Sequence, residues 1–108
     1  MNTVILIGNL GAAPEIKTFE NGNQIARISL ATNETYKDAQ GERQKITEWH
    51  NVIVIGKMAE VAGKYLGKGA KISLQGKLKT RSWEDRHGER RYITEVHCRG
   101  FNFEDAKQ

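Results

Sequence analysis

Three cations and an indole recur at every second position of Lys77-Leu-Lys-Thr-Arg-Ser-Trp83. On an extended strand, side chains two apart share a face, so Lys77, Lys79, Arg81 and Trp83 point one way and Leu78, Thr80 and Ser82 the other. Such a face suits one kind of chemistry. Ammonium and guanidinium groups follow a phosphate backbone while a flat ring takes an unpaired base on its π-face, a contact of about 1 to 3 kcal/mol that tolerates any base. A folding role, in which Trp83 folds over the end of its own domain, stays open from the pattern. Trp49, in Thr47-Glu-Trp-His-Asn51, shares a face with Thr47, Asn51 and Ile53, and leaves core and binding roles open alike. Tyr36 beside Lys37 is a third ring next to a cation, placed to clamp a base.

Reactive constellations do not accompany these rings. His50, His87 and His97 lack the spacing of a zinc site, and Cys98 is the single cysteine, which excludes an internal disulfide and a multi-cysteine metal centre. His97 and Cys98 on one strand face opposite ways and cannot hold a metal together. Gly63-Lys-Tyr-Leu-Gly67-Lys-Gly69 falls short of a phosphate loop, because three residues rather than four separate the first two glycines and Gly69 stands where magnesium needs a Ser or Thr. The expectation is a binding protein without a cofactor or metal, not an enzyme.

The charge distribution agrees. The net charge of +4 is modest, but residues 64 to 91 hold nine Lys and Arg against three Asp and Glu, net +6, and the remainder is net −2. A concentrated positive segment points to an anionic partner, nucleic acid above all. At 108 residues the chain has room for one domain with one core. Its aliphatic runs are far too short to span a bilayer and no secretory pattern opens it, so a cytoplasmic location is expected.

Elements that could position these residues are mostly strands. Residues 3 to 10 are apolar and β-branched, with a short continuation over 16 to 19; further strands are predicted over 25 to 33, 46 to 55, 70 to 83 and 92 to 103. Within them Ala26, Ile28 and Leu30, and later Ile72, Leu74 and Leu78, face inward, and Gly76 is a place to bend. Polar residues 36 to 45 and 84 to 90 read as loops that close over a bound strand. Met58, Val61, Ala62, Tyr65 and Leu66 recur at helical spacing, with Gly67 or Gly69 as the stop. Five strands with one short helix between the third and fourth is the order of an all-β OB-fold barrel.

Several motifs together carry a resemblance. Val4-Ile-Leu-Ile-Gly-Asn-Leu-Gly11, Pro14-Glu15, Thr47-Glu-Trp-His50, Gly56-Lys-Met-Ala-Glu60, Tyr65-Leu66 with Lys68-Gly69, and Gly76, Leu78, Thr80, Arg81 and Trp83 resemble the bacterial single-stranded DNA-binding protein family over residues 3 to about 98. The resemblance implies an OB-fold homotetramer, associated with the nucleoid, that wraps single-stranded DNA around its outside and protects it in replication, recombination and repair. It implies stacking by Trp49 and Trp83, with Tyr36 as a smaller ring at a third family tryptophan position and Ile55 replacing a family phenylalanine with loss of a π-face. Basic contacts carry over to Lys57, Lys68, Arg81 and Arg91, and to Lys17 and Lys79, where arginines are common and lysine keeps charge but loses the planar fork. His50 maps to a subunit interface. The binding domain is expected over 1–103, and 104–108 as a stub without the family's acidic tail, so recruitment of partner proteins through that tail is not expected. An RNA-binding OB module and an oligomerising scaffold of a replication-restart complex stay open as rival readings.

Overall fold

The computed structural model describes residues 1–104. In chain order it contains β1 Val4–Leu10, β2 Glu15–Thr18, β3 Gln24–Lys37, β4 Arg43–Ile55, α1 Lys57–Tyr65, β5 Lys71–Glu84 and β6 Arg90–Phe103. The strands hydrogen-bond in the order β1-β5-β6-β4-β3-β2, and β1 also meets β3 at Asn9↔Ala31 and Leu10↔Leu30, which closes a barrel. β1 and β2 are two stretches of one bent edge, as the expected short continuation implied, so the barrel is five-stranded and α1 lies between its third and fourth strands. A parallel joint, Val52↔Val96 and Ile53↔His97, links β4 to β6. Glu104, the first residue of the expected stub, donates its N–H to the Lys71 carbonyl, and the rest of that stub lies outside the described residues.

Alternation builds the core. Ala26, Ile28 and Leu30 of β3, Val52 and Val54 of β4, Ile72 and Leu74 of β5, and Val96 and Cys98 of β6 all point inward and are buried. Burial lifts the Cys98 thiol above its ordinary pKa. Two glycines let strands approach where the barrel turns. A Cβ on Gly8 would collide with the Ala31 carbonyl oxygen at the β1–β3 closure, and one on Gly76 would collide with that of His97, at the register shift between Gln75 and Gly76.

The structure revises three local expectations. The buried residues of α1 are Ala59 and Ala62, with Leu66 just beyond, while Val61 and Tyr65 face solvent. Helical spacing alone does not say which neighbouring stripe meets the barrel, and the small alanines fit the close approach to β3 and β4. Leu78 lies past the Gly76 bend, where β5 has left the barrel, and is exposed. Finally, the polar segments are not long loops. β3 and β4 pair out to Lys37↔Arg43, and β5 and β6 out to Glu84↔Arg90, leaving five-residue turns.

Those two turns are built alike, from Asp38-Ala-Gln-Gly-Glu42 and Asp85-Arg-His-Gly-Glu89. In each, the glycine N–H bonds the Asp carbonyl and the glycine takes a left-handed φ, 79° at Gly41 and 78° at Gly88. The Asp carboxylate then accepts two further turn N–H groups, from Gln40 and Glu42 in one and from His87 and Glu89 in the other. These bonds, led by the Glu42 and Glu89 N–H groups and helped by Gln44 and Arg91, hold both carboxyls below their usual pKa.

Because β4 and β6 run parallel, both hairpins leave the barrel at the same end, as two arms. The radius of gyration, 16.2 Å, exceeds the about 13 Å of a compact chain of this length, as two extended arms require.

Candidate nucleic-acid interface

Strand register decides which residues share the outer wall. Lys77 pairs with His97, His97 with Ile53, Ile53 with Arg27, and Arg27 with Glu15, so one row of outward side chains crosses five strands. Stepping by two from that row keeps the same face. It gathers Lys79, Arg81 and Trp83 on β5, Arg91 and Glu95 on β6, Asn51 and Trp49 on β4, and, toward the other end, Ile55, Ile25 and Lys17. Both indoles sit on this wall toward the end from which the arms project.

Trp49 is 59% exposed and rests its six-membered ring against Gly11, where any Cβ would strike it. A flat surface thus stays open beside the end of β1. Trp83 is 41% exposed and carries the Arg81 guanidinium 5.3 Å from its ring centroid, within cation–π range.

Arg81 is held from the other side as well. Its Nε and Nη2 donate to the two oxygens of Glu95, each at 3.2 Å, and His97 Nε2 lies 3.4 Å from Glu95 Oε1. Glu95 is only 3% exposed. Burial pushes its carboxyl up, but the Arg81 guanidinium and the His97 ring outweigh that and leave it below its ordinary value. Arg81 therefore bridges a buried carboxylate and the Trp83 ring. Arg91 is similarly engaged, with Nε 2.9 Å from the Asp85 carboxylate.

Glu95→Gln keeps the shape but removes the charge that grips Arg81, and should lower stability by about 1 kcal/mol, discounted because Arg81 is half exposed. With a depressed folded pKa, the ionised carboxylate stabilises the fold above the ordinary value of 4.5 and that contribution fades as pH falls through the lowered value. Urea unfolding of both proteins at pH 7 and pH 3 checks this; equal midpoints at pH 7 would show that the pair contributes nothing.

The remaining expected residues are spread more widely. Lys37 opposes Arg43, and Thr35 opposes Lys45, on the same face of the first arm as Trp49. Arg43 and Lys45 escaped the sequence reading because the segment looked like a loop; the signal was Asp38 and Gly41, which fix a tight turn and so continue both strands. Tyr36 opposes Gln44 on the reverse face of that arm, with Ile46 and His50, so the structure does not bring it onto the wall with Trp49. His50 is half-buried there, its Nε2 2.9 Å from the Thr32 hydroxyl. Lys68 lies in the turn pinned to β1 by the Gly69 N–H to Leu10 carbonyl bond at 2.8 Å, next to Gly11 under Trp49. Lys57 opens α1 at the far end, after Gly56. Lys17, on the wall, lies 5.4 Å above the Phe19 ring. Phe19 closes the short strand expected over 16 to 19, and a single ring there gives no signal of binding in the sequence; the structure places it just past β2, which ends at Thr18.

A closed five-stranded barrel with one helix after its third strand is an OB-fold, and cations and open indoles on its wall suit it to single-stranded nucleic acid. Residues 1–104 match the model of the Single-strand binding protein family, and the chain belongs to that family. Among solved structures it is similar to the Plasmodium falciparum SSB in complex with ssDNA, at 34% identity and a TM-score of 0.89, covering 97% of this chain and 96% of that one. It is also similar to a deletion mutant of the single-stranded DNA-binding protein from Thermus aquaticus, at 30% identity and a TM-score of 0.87, covering 99% of this chain but 52% of that one.

Proposed function

We propose that this chain binds single-stranded DNA without strong sequence preference and shields it during replication, recombination and repair, acting by binding and not by catalysis. The observation that carries the reading is the shared wall: Trp49 and Trp83 with Lys77, Lys79, Lys37, Arg43 and Lys45 on one continuous face. Cations alone would hold duplex as readily, whereas open indoles reward a strand whose bases are unstacked. Lys17, Lys57 and Lys68 extend the positive track to either end. Arg81 and Arg91 serve mainly to set Trp83 and its turn, and Tyr36 stacks a base that crosses to the reverse face of the arm.

Self-association into a homotetramer is part of the same proposal. Ile5 and Ile7 on the outward face of β1 are 70% and 56% exposed, adjacent apolar side chains that a second copy would cover. We assign His50, half-buried beside Thr32, to a subunit interface as well. The protein would act in the cytoplasm, on the nucleoid; among the described residues no helix is long and apolar enough to cross a membrane.

Titrating tryptophan emission with oligo-dT, with mass in solution measured in parallel, tests the reading. Strong quenching at a fixed stoichiometry is expected, and its absence removes the binding role in favour of a scaffold. Competition with a matched RNA oligonucleotide should leave DNA preferred; the reverse result would make this an RNA-binding module.

A further inference from the structure

The turn between β2 and β3 repeats the backbone of the two arm tips with one difference. Phe19 N–H bonds the Asn23 carbonyl, Gly22 N–H bonds the Phe19 carbonyl, and Gly22 has φ 87°. At the arm tips the first residue of this turn is Asp, whose carboxylate ties down the loop N–H groups; here that position is Phe19, and Asn21 Oδ1 accepts from Asn23 N–H instead. The turn chemistry therefore gives no reason for a ring at this place. The core gives none either, since Phe19 is 39% exposed and outside the buried cluster.

What surrounds the ring is more telling. Phe19 stands between two adjoining grooves that share Ile25 as floor, one continuing to Ile55 and Gly56, the other to Lys17 and Arg27. Lys17, Ile25, Ile55 and Arg27 belong to the same outward face as Trp49, with Ile55 six residues along β4 from Trp49, about 20 Å at strand rise. An exposed ring, an aliphatic floor and two flanking cations thus continue the wall at the end away from the arms.

We infer that Phe19 is a base-stacking position, taking one unpaired base of the bound strand over Ile25 and Ile55 while Lys17 meets the adjacent phosphate. The occupant is the same polynucleotide that lies on Trp49, because the face is unbroken between them and the cations Lys17 and Arg27 outnumber the one carboxylate, Glu15, that lines the same groove. This rests on the proposed function, and the experiment separates the two. Affinity for a long oligo-dT is measured by anisotropy of a labelled strand for the unaltered chain, Phe19→Leu and Phe19→Tyr, with far-UV circular dichroism confirming the fold of each. Leucine preserves apolar bulk without a π-face, so binding about 5- to 150-fold weaker is expected, and tyrosine, which restores a ring, should recover most of that loss. If the unaltered chain fails to bind, the proposed function itself falls. If it binds and the leucine variant binds as tightly, or if leucine and tyrosine weaken binding equally, the function stands and the stacking role of Phe19 is overturned.

Discussion

Replacing Trp83 with alanine should weaken binding of oligo-dT by about 1 to 3 kcal/mol, a 5- to 150-fold loss in affinity, if a base lies on the indole. The position makes this a clean measurement. Trp83 stands on an arm, opposite Arg91 and four residues beyond Lys79, and is neither in the buried hydrophobic cluster nor packed against it. What the fold loses is the Arg81 cation–π contact, about 0.5 to 1 kcal/mol for a partly exposed pair. Affinity should therefore fall by more than stability, and Trp83→Phe, which keeps a smaller ring, should fall between the two proteins in affinity. A labelled-strand titration beside a urea melt reads both quantities. Unchanged affinity in an intact fold would remove Trp83 from the interface and leave it only the role of a cover for Arg81.

The alternation of residues 77 to 83 was legible in the sequence because β5 keeps one register past Gly76, so parity alone assigns the face. Parity failed for Tyr36 for a related reason. Once residues 36 and 37 are seen to continue β3, the pairing Ala31↔Trp49 forces Tyr36 onto Gln44 and the opposite face. Nothing in the composition of residues 36 to 45 announced a strand, since both faces of a projecting hairpin are polar and the usual in-out contrast is missing. The decisive residues were Asp38 with Gly41, and Asp85 with Gly88, whose side-chain acceptor and left-handed backbone close a tight turn. Ion pairing was hidden in another way. Arg81 reads as a free cation until the chain returns fourteen residues later and sets buried Glu95 beside it. The helix was legible as a helix, with Ala62 and Leu66 of its predicted stripe buried, but Val61 and Tyr65 face solvent and Ala59, which carries little hydrophobic signal, takes the buried place that the tightness of the barrel end favours.

That distinction between free and engaged cations makes the salt dependence a sharper test than the net charge would. Binding should weaken with salt along a log-log slope of about −0.7 per phosphate neutralised on a single strand. Five neutralised phosphates would give a slope near −3.5, so that a fourfold rise in salt lowers affinity by roughly a hundredfold. Among the described residues Lys77 and Lys79 have no ion-pair partner, whereas Arg81 and Arg91 already face Glu95 and Asp85. Removing Lys79 should therefore make the slope shallower by about 0.7. Arg91→Ala should change it less, because the Asp85 carboxylate already offsets the guanidinium. Oligo-dT titrations at four salt concentrations on the two variants measure the difference directly. Equal changes for both would mean that the surface ion pair at Asp85 opens when DNA arrives, and a flat dependence for the unaltered chain would contradict phosphate contact along the wall.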